Sequence, residues 1–249
     1  KILDGHTCDI ETYGIDNECD LKANDIELFT KPGCLCVSYN LSGELSFPVE
    51  IHIPGKFSVY NSLAAICVAQ KFGISPEIIK EALLEVRVPG RSELVNNKKE
   101  LTIMIDYAHS PESLQNILQA AKSYTRGRVI SVFGCGGDRD SGKRPIMGEI
   151  SGKIADYTII TSDNPRTEEP QKIVEQIEEG IKKTKGKYEV IVDRTEAIEK
   201  AIKMANKKDI IILAGKGHEP YQEISGVKHP FDERIIVNEI IEKLEKNEK

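Results

Sequence analysis

From residue 101 onward the chain alternates short apolar runs with amphipathic stretches, a rhythm that few folds can accommodate. The runs are Leu101–Ile105, Arg128–Phe133, Tyr157–Thr161, Tyr188–Val192 and Asp209–Ala214. Several are unbroken Val/Ile, the pattern of strands covered on both faces. Helix signals fill the gaps. Ser110-Pro111 opens a stretch carrying Leu114, Ile117, Leu118 and Ala121, and Ile146, Ile150 and Ile154 line a second. Ile173, Ile177 and Ile181 line a third, and Asp193 with Glu196 reads as a capping box ahead of Ala197, Ile198, Ala201 and Ile202. Phe231, Asp232 and Ile236 suit the staple, N-cap and fourth residue of a last helix. Strands and helices in strict alternation predict right-handed crossovers and an α/β fold, with a Rossmann-like open, mostly parallel sheet and helices on both faces.

The first part of the chain reads differently. Short β-rich segments, Asp9–Ile15, Ile26–Thr30, Cys34–Leu41 and Leu45–Ile53, are punctuated by turns such as Lys31-Pro32-Gly33 and Ser42-Gly43. Helical patterns follow over Asn61–Phe72 and from Ser75-Pro76 to about Val86, and Val88-Pro89-Gly90-Arg91 reads as a linker. The expected domains are therefore residues 1–90, the β-rich and helical end of a second α/β domain, and residues 91–249.

Composition narrows the function classes. With 249 residues, 39% hydrophobic and 30% charged, the chain has room for a sizeable core, and no apolar run spans a bilayer. A net charge of −6 gives no basic field for nucleic acid. The six cysteines form no Cys-x-x-Cys pair and the five histidines stand singly, so no metal site is expected and the thiols are read as reduced and cytoplasmic. The chain opens on Lys1 rather than Met, which reads as a cut inside a longer protein.

In such a sheet, ligands bind at the loops that follow the carboxyl ends of the strands. Four loops qualify. In Asp106-Tyr107-Ala108-His109-Ser110-Pro111, Asp106 could accept a ribose diol and His109 could pack on a base, although a turn Asp and a surface His read equally well. Residues 134–145 hold Gly134, Gly136 and Gly137, whose lack of a Cβ permits close backbone approach, and the Pro145 helix start could face an anion. Gly137, Gly142 and Lys143 nearly make a P-loop. Arg144, however, stands where Mg²⁺ needs a Ser or Thr, which rules out a triphosphate cradle there. Arg139 remains as a guanidinium. Ser162-Asp163-Asn164-Pro165-Arg166-Thr167 offers a carboxylate, a carboxamide and a guanidinium on a loop stiffened by proline, suited to a carboxylate ligand. Gly215-Lys216-Gly217-His218-Glu219 adds a carboxylate for an ammonium group. Together these loops suit a small ligand carrying both charges.

In this order the four motifs resemble those of the Mur ligases, and Thr12-Tyr13-Gly14, Gly55–Ala65 and Val88–Glu93 resemble the end of that family's central domain. The Asp-Asn-Pro-Arg form resembles the members that add meso-diaminopimelate rather than lysine, and the distal carboxylate that lysine lacks gives Arg166 a partner. The resemblance implies an ATP-dependent amide-bond ligase of peptidoglycan precursor synthesis. Its acceptor would be UDP-N-acetylmuramoyl-L-alanyl-D-glutamate, whose γ-carboxyl becomes an acyl phosphate that the diaminopimelate amine attacks. It implies diaminopimelate contacts at Arg139, Asp163, Asn164, Pro165, Arg166, Gly215 and Glu219, and nucleotide contacts at Asn61, Arg91, Asp106 and His109. ATP and Mg²⁺ would be held mainly by sequence before Lys1, so these 249 residues alone are expected not to ligate. A cytoplasmic monomer acting on small molecules is expected. The alternatives are a non-catalytic amino-acid-binding module, a related ligase adding a different amino acid and a dinucleotide-dependent oxidoreductase.

Overall fold

The structure, a computed structural model, describes residues 5, 7–31 and 33–247. Lys1, His6, Pro32 and the end of the Lys/Glu tail, all used in the sequence reading, lie outside them. The chain forms two compact units: residues up to 86 except 30–34, and those five with residues from 87 onward.

The first unit carries the sheet β1 (Tyr13–Gly14), β2 (Leu21–Lys31), β3 (Cys34–Gly43) and β4 (Phe47–Ile51), in that order. Helices α1 (Lys56–Lys71) and α2 (Pro76–Glu85) follow. Val37, Tyr39, Leu41, Val49 and Ile51 face Val59, Leu63, Ile66, Ile79 and Leu83 in its core. Three expectations shift. The strand expected over Asp9–Ile15 pairs only at Tyr13–Gly14, parallel to Leu21–Lys22. The strand β2 starts five residues before Ile26, and α1 starts at Lys56 rather than Asn61.

The second unit runs β5 (Glu93–Leu94), β6 (Thr102–Asp106), α3 (Pro111–Tyr124), β7 (Val129–Phe133), α4 (Lys143–Ile154), β8 (Tyr157–Ile160), α5 (Pro170–Ile181), β9 (Tyr188–Val190), α6 (Arg194–Met204), β10 (Ile210–Ala214), β11 (Tyr221–Ile224), β12 (Val227–Pro230) and α7 (Glu233–Asn247). The main sheet has the order β5-β6-β10-β7-β8-β9 and is parallel except at the β5 edge. Ile103, Ile105, Ile130, Val132, Ile211 and Leu213 pack on α6 and α7 through Ala197, Ile198, Ala201, Val237, Ile240 and Ile241. Each such isoleucine removed from water contributes about 1.5–3 kcal/mol before the entropy of ordering is subtracted. Helices α3, α4 and α5 pack against one another and against β7, β8 and β10.

Helix starts are set locally. The Ser110 hydroxyl accepts from Ser113 N, with the reciprocal bond present, and Asp193 accepts from Glu196 N. One core stripe is corrected. Ile146 is 50% exposed, and α4 instead buries Met147, Gly148, Ser151 and Gly152. A Cβ on Gly148 would stand 2.1 Å from Ile177 O, and one on Gly180 1.8 Å from Pro145 O, so glycines let α4 and α5 meet backbone to backbone. The isoleucines are displaced outward as a result.

Candidate functional site

Register places the ends of four strands in a row. Asp106 is opposite Ala214, Ala214 opposite Phe133, and Phe133 opposite Ile160. With strands about 4.8 Å apart, the loops that follow share one rim. The glycines expected to approach a ligand instead bring these loops onto each other. A Cβ on Gly137 would lie 1.9 Å from Pro165 O, one on Gly134 2.3 Å from Thr161 O, and one on Gly215 2.4 Å from an Asp163 carboxylate oxygen. Gly215 has φ +116, which only glycine adopts easily.

Asn164 is the hub of the rim. It is 4% exposed; its Nδ2 donates to Glu219 Oε2 (2.8 Å), and its Oδ1 accepts from Lys216 Nζ (3.0 Å) and Glu223 N (2.9 Å). Asp163, 5% exposed, lies 3.9 Å from Lys216 Nζ. Pro165 is buried beneath Gly137. Arg166 takes φ +52, held by its N–H to Glu223 O (3.0 Å) and by a bridge to Ile224. Its Nη1 donates to Gly137 O (2.7 Å) and its Nε lies 3.3 Å from Glu223 Oε2, which leaves Nη2 without a hydrogen-bond partner among the described residues. Arg139 is exposed and, among the described residues, donates only to the neighbouring Asp138 O. Arg166 Nη1 and Arg139 Cγ both fall within 4 Å of where a Cβ on Gly136 would stand, so the guanidinium-bearing chains flank one glycine. Arg139, Asp163, Asn164, Pro165, Arg166, Gly215 and Glu219 are thus gathered on one rim.

The residues expected to face a nucleotide are distributed over both units. Asn61 is exposed on α1 of the first unit. Asp106 is 7% exposed, and its Oδ2 is already taken by Ser92 N (2.7 Å) and Ser92 Oγ (3.3 Å). Burial raises its pKa, and the Ser92 bonds oppose that. Arg91 and His109 meet around Tyr107, the guanidinium carbon 4.7 Å and the imidazole 4.6 Å from the phenol centroid, with His218 at 5.5 Å. Tyr107 thereby links the first and fourth loops. It was passed over in the sequence because a lone Tyr carries no pattern.

Two further groups, Lys216 and Arg194, were given no role in the sequence reading, and the burial of a third, Arg144, was not foreseen. Lys216 is fully buried. Arg194, also buried, donates to Glu233 Oε1 (2.8 Å), Ser162 O (3.2 Å) and Ala214 O (2.9 Å), the carbonyls just before Asp163 and Gly215. Arg144 is 1% exposed, bonds Glu168 bidentately at 2.8 Å and also reaches Gln176 Oε1 and Gly136 O. The Arg144 guanidinium is thus committed to partners within the protein. Among the described residues, the donors that could hold a metal are Cys34, Cys36 and His52 along β3 and after β4, with ligand atoms within 4.8 Å of one another. In the sequence, Cys34 and Cys36 lie two apart on one face of a strand-like segment, while His52 stands singly.

Arg144, with the Asp138 N–H second, holds Glu168 from an ordinary 4.5 down to about 2. A depressed carboxylate stabilises the fold fully above its unfolded value and loses that contribution as pH falls through the folded one. Acid unfolding between about pH 4.5 and 2 is therefore expected to be less steep in Glu168→Gln than in the wild type, as followed by circular dichroism against pH. Equal slopes would remove this pair from the acid response.

A family model, Mur ligase, glutamate ligase domain, matches residues 90–217. The chain is 56% identical over 198 residues to a UDP-N-acetylmuramoyl-L-alanyl-D-glutamate–2,6-diaminopimelate ligase of Caldanaerobacter subterraneus, covering 80% of this chain and 41% of that one. A protein of the same name from Clostridioides difficile is 48% identical over 235 residues, covering 94% and 48%. A solved structure of a ligase of that name superposes with a TM-score of 0.66 at 36% identity, covering 94% of this chain and 48% of that chain. The chain thus spans less than half the length of these relatives. With more than half of its own 249 residues under the family model, it belongs to the Mur ligase family.

Proposed function

We propose that the chain supplies the amino-acid site of an ATP-dependent ligase that adds meso-diaminopimelate to UDP-N-acetylmuramoyl-L-alanyl-D-glutamate in peptidoglycan precursor synthesis. One observation carries the reading: two guanidinium-bearing side chains flank Gly136 while Asn164, on the same loop as Arg166, bonds Glu219. Diaminopimelate is an amino acid at both ends. Its distal carboxylate suits the fork of Arg166 with Arg139 beside it, and its distal ammonium suits Glu219 and Asp163. Held at that end, the other amine is presented to the acyl phosphate in one orientation, and this restriction of freedom is the chain's contribution to rate.

On this reading residues 1–90 are the end of the family's central domain and 91–249 its C-terminal domain. Asn61, Arg91, Asp106 and His109 take part of the nucleotide wall. ATP and Mg²⁺ are held mainly by the part of the family's length that this chain does not span. The protein acts as a cytoplasmic monomer in cell-wall biogenesis, and so in cell shape and division. Calorimetric titration with meso-diaminopimelate and with L-lysine is the direct test. Heat of binding for diaminopimelate and little or none for lysine is expected, and equal affinities would sink the assignment.

A further inference from the structure

The Asn164 carboxamide is committed at both ends. Two N–H donors, from Lys216 and from the Glu223 backbone, meet its oxygen, while its nitrogen faces a Glu219 carboxylate oxygen. Turning the amide over would set an NH₂ against two donors and an oxygen against a carboxylate. Lys216, which supplies one of those donors, is an unusual lysine. Its side chain is 0% exposed, and its ammonium lies 5.7 and 5.8 Å from the ring centres of Tyr221 and Phe231. Its counter-charges are Glu219 at 3.5 Å and Asp163 at 3.9 Å. Lysine is almost never fully buried unless it is paired, and the pairing here is with residues of the rim itself. Burial lowers its hold on the proton, and the Asp163 carboxylate opposes that.

We propose that Lys216 is a positioning residue of the amino-acid site: it locks the Asn164 carboxamide so that the NH₂ group and the Glu219 carboxylate meet the incoming amino acid in one fixed geometry. The proposal rests on the reading of this rim as a diaminopimelate site. A lysine that served only to balance Asp163 and Glu219 would need no bond to Asn164. A side chain that only filled space would carry no charge.

The test is steady-state kinetics on the protein as the cell makes it, with KM measured for meso-diaminopimelate, ATP and the UDP-muramyl dipeptide. Lys216→Met should raise the diaminopimelate KM about 10- to 100-fold, the loss of a hydrogen bond to a charged group, with the other two KM values within about twofold. Asn164→Leu should show the same split. The double variant should be no worse than the poorer single one, because the two residues act as a unit. Recovery of a wild-type KM on adding Glu219→Gln to Lys216→Met would overturn the proposal and leave Lys216 as a counter-charge. If Lys216→Met does not fold, Asn164→Asp answers instead. It keeps an oxygen toward Lys216 and the Glu223 N–H but lacks the NH₂, so the same rise is expected and an unchanged KM refutes the idea. Wild-type protein with no diaminopimelate-dependent turnover would sink the site assignment itself, and this proposal with it. Normal wild-type turnover with an unaltered Lys216→Met KM would sink this proposal alone.

Discussion

Replacing Arg166 by alanine is expected to weaken binding of meso-diaminopimelate by about 2–4 kcal/mol and to leave lysine binding nearly unchanged. The side chain is only 21% exposed, so its charge has lost much of its water. Gly137 O and Glu223 engage Nη1 and Nε of the guanidinium, and Nη2 is the nitrogen offered to a carboxylate. Diaminopimelate brings that carboxylate and lysine does not. The backbone contributes little to the difference, since alanine and arginine both resist φ +52. Calorimetry with both ligands decides the matter. Equal losses would mean that Arg166 holds the loop rather than the ligand. Arg166→Lys should fall between, because it keeps the charge and loses the fork.

The second large effect concerns stability. Arg194→Met should lower the unfolding free energy by about 3–5 kcal/mol, the cost of removing one partner from a buried ion pair. Both side chains are shut away from solvent, Arg194 at 0% and Glu233 at 1%. Glu233 Oε2 already lacks a hydrogen-bond partner, so without Arg194 the carboxylate would have none at either oxygen among the described residues. Urea denaturation measures the loss, and less than about 1 kcal/mol would contradict the role given to the pair. Arg194→Met combined with Glu233→Met should recover much of it, because an apolar pair has no charge to desolvate. Arg194 also ties Ser162 O and Ala214 O, so the single variant should loosen both loops of the rim.

The parallel sheet was legible because its strands are buried on both faces and therefore spell themselves as continuous apolar runs. Strands β5, β11 and β12 were not. Glu93–Leu94 is too short for a pattern, and Val227–Pro230 is exposed along its whole length. Their existence depends on what they pair with. The hairpin of β11 and β12 is nonetheless what holds Arg166, through Glu223 O and Ile224. The site's charged residues could be chosen from loop chemistry and from resemblance. Lys216 could not be singled out, because lysine on a glycine-flanked loop is ordinarily solvated, and the rings and carboxylates around it come from segments distant in sequence or brought back by the fold. The stripe Ile146, Ile150, Ile154 misled for a related reason: helical spacing identifies a face but not the neighbour, and glycine was the residue that α5 required.

The contact of Gly137 with Pro165, too close for any side chain between them, has a consequence for any redesign of these loops. The two segments behave as one moulding, so grafting the Asp163–Arg166 stretch of a lysine-adding relative into this scaffold should fail unless its glycine-rich partner is transplanted along with it. On the proposed function, substrate choice then rests on a pair of segments about thirty positions apart, and a change in either one calls for a matching change in the other.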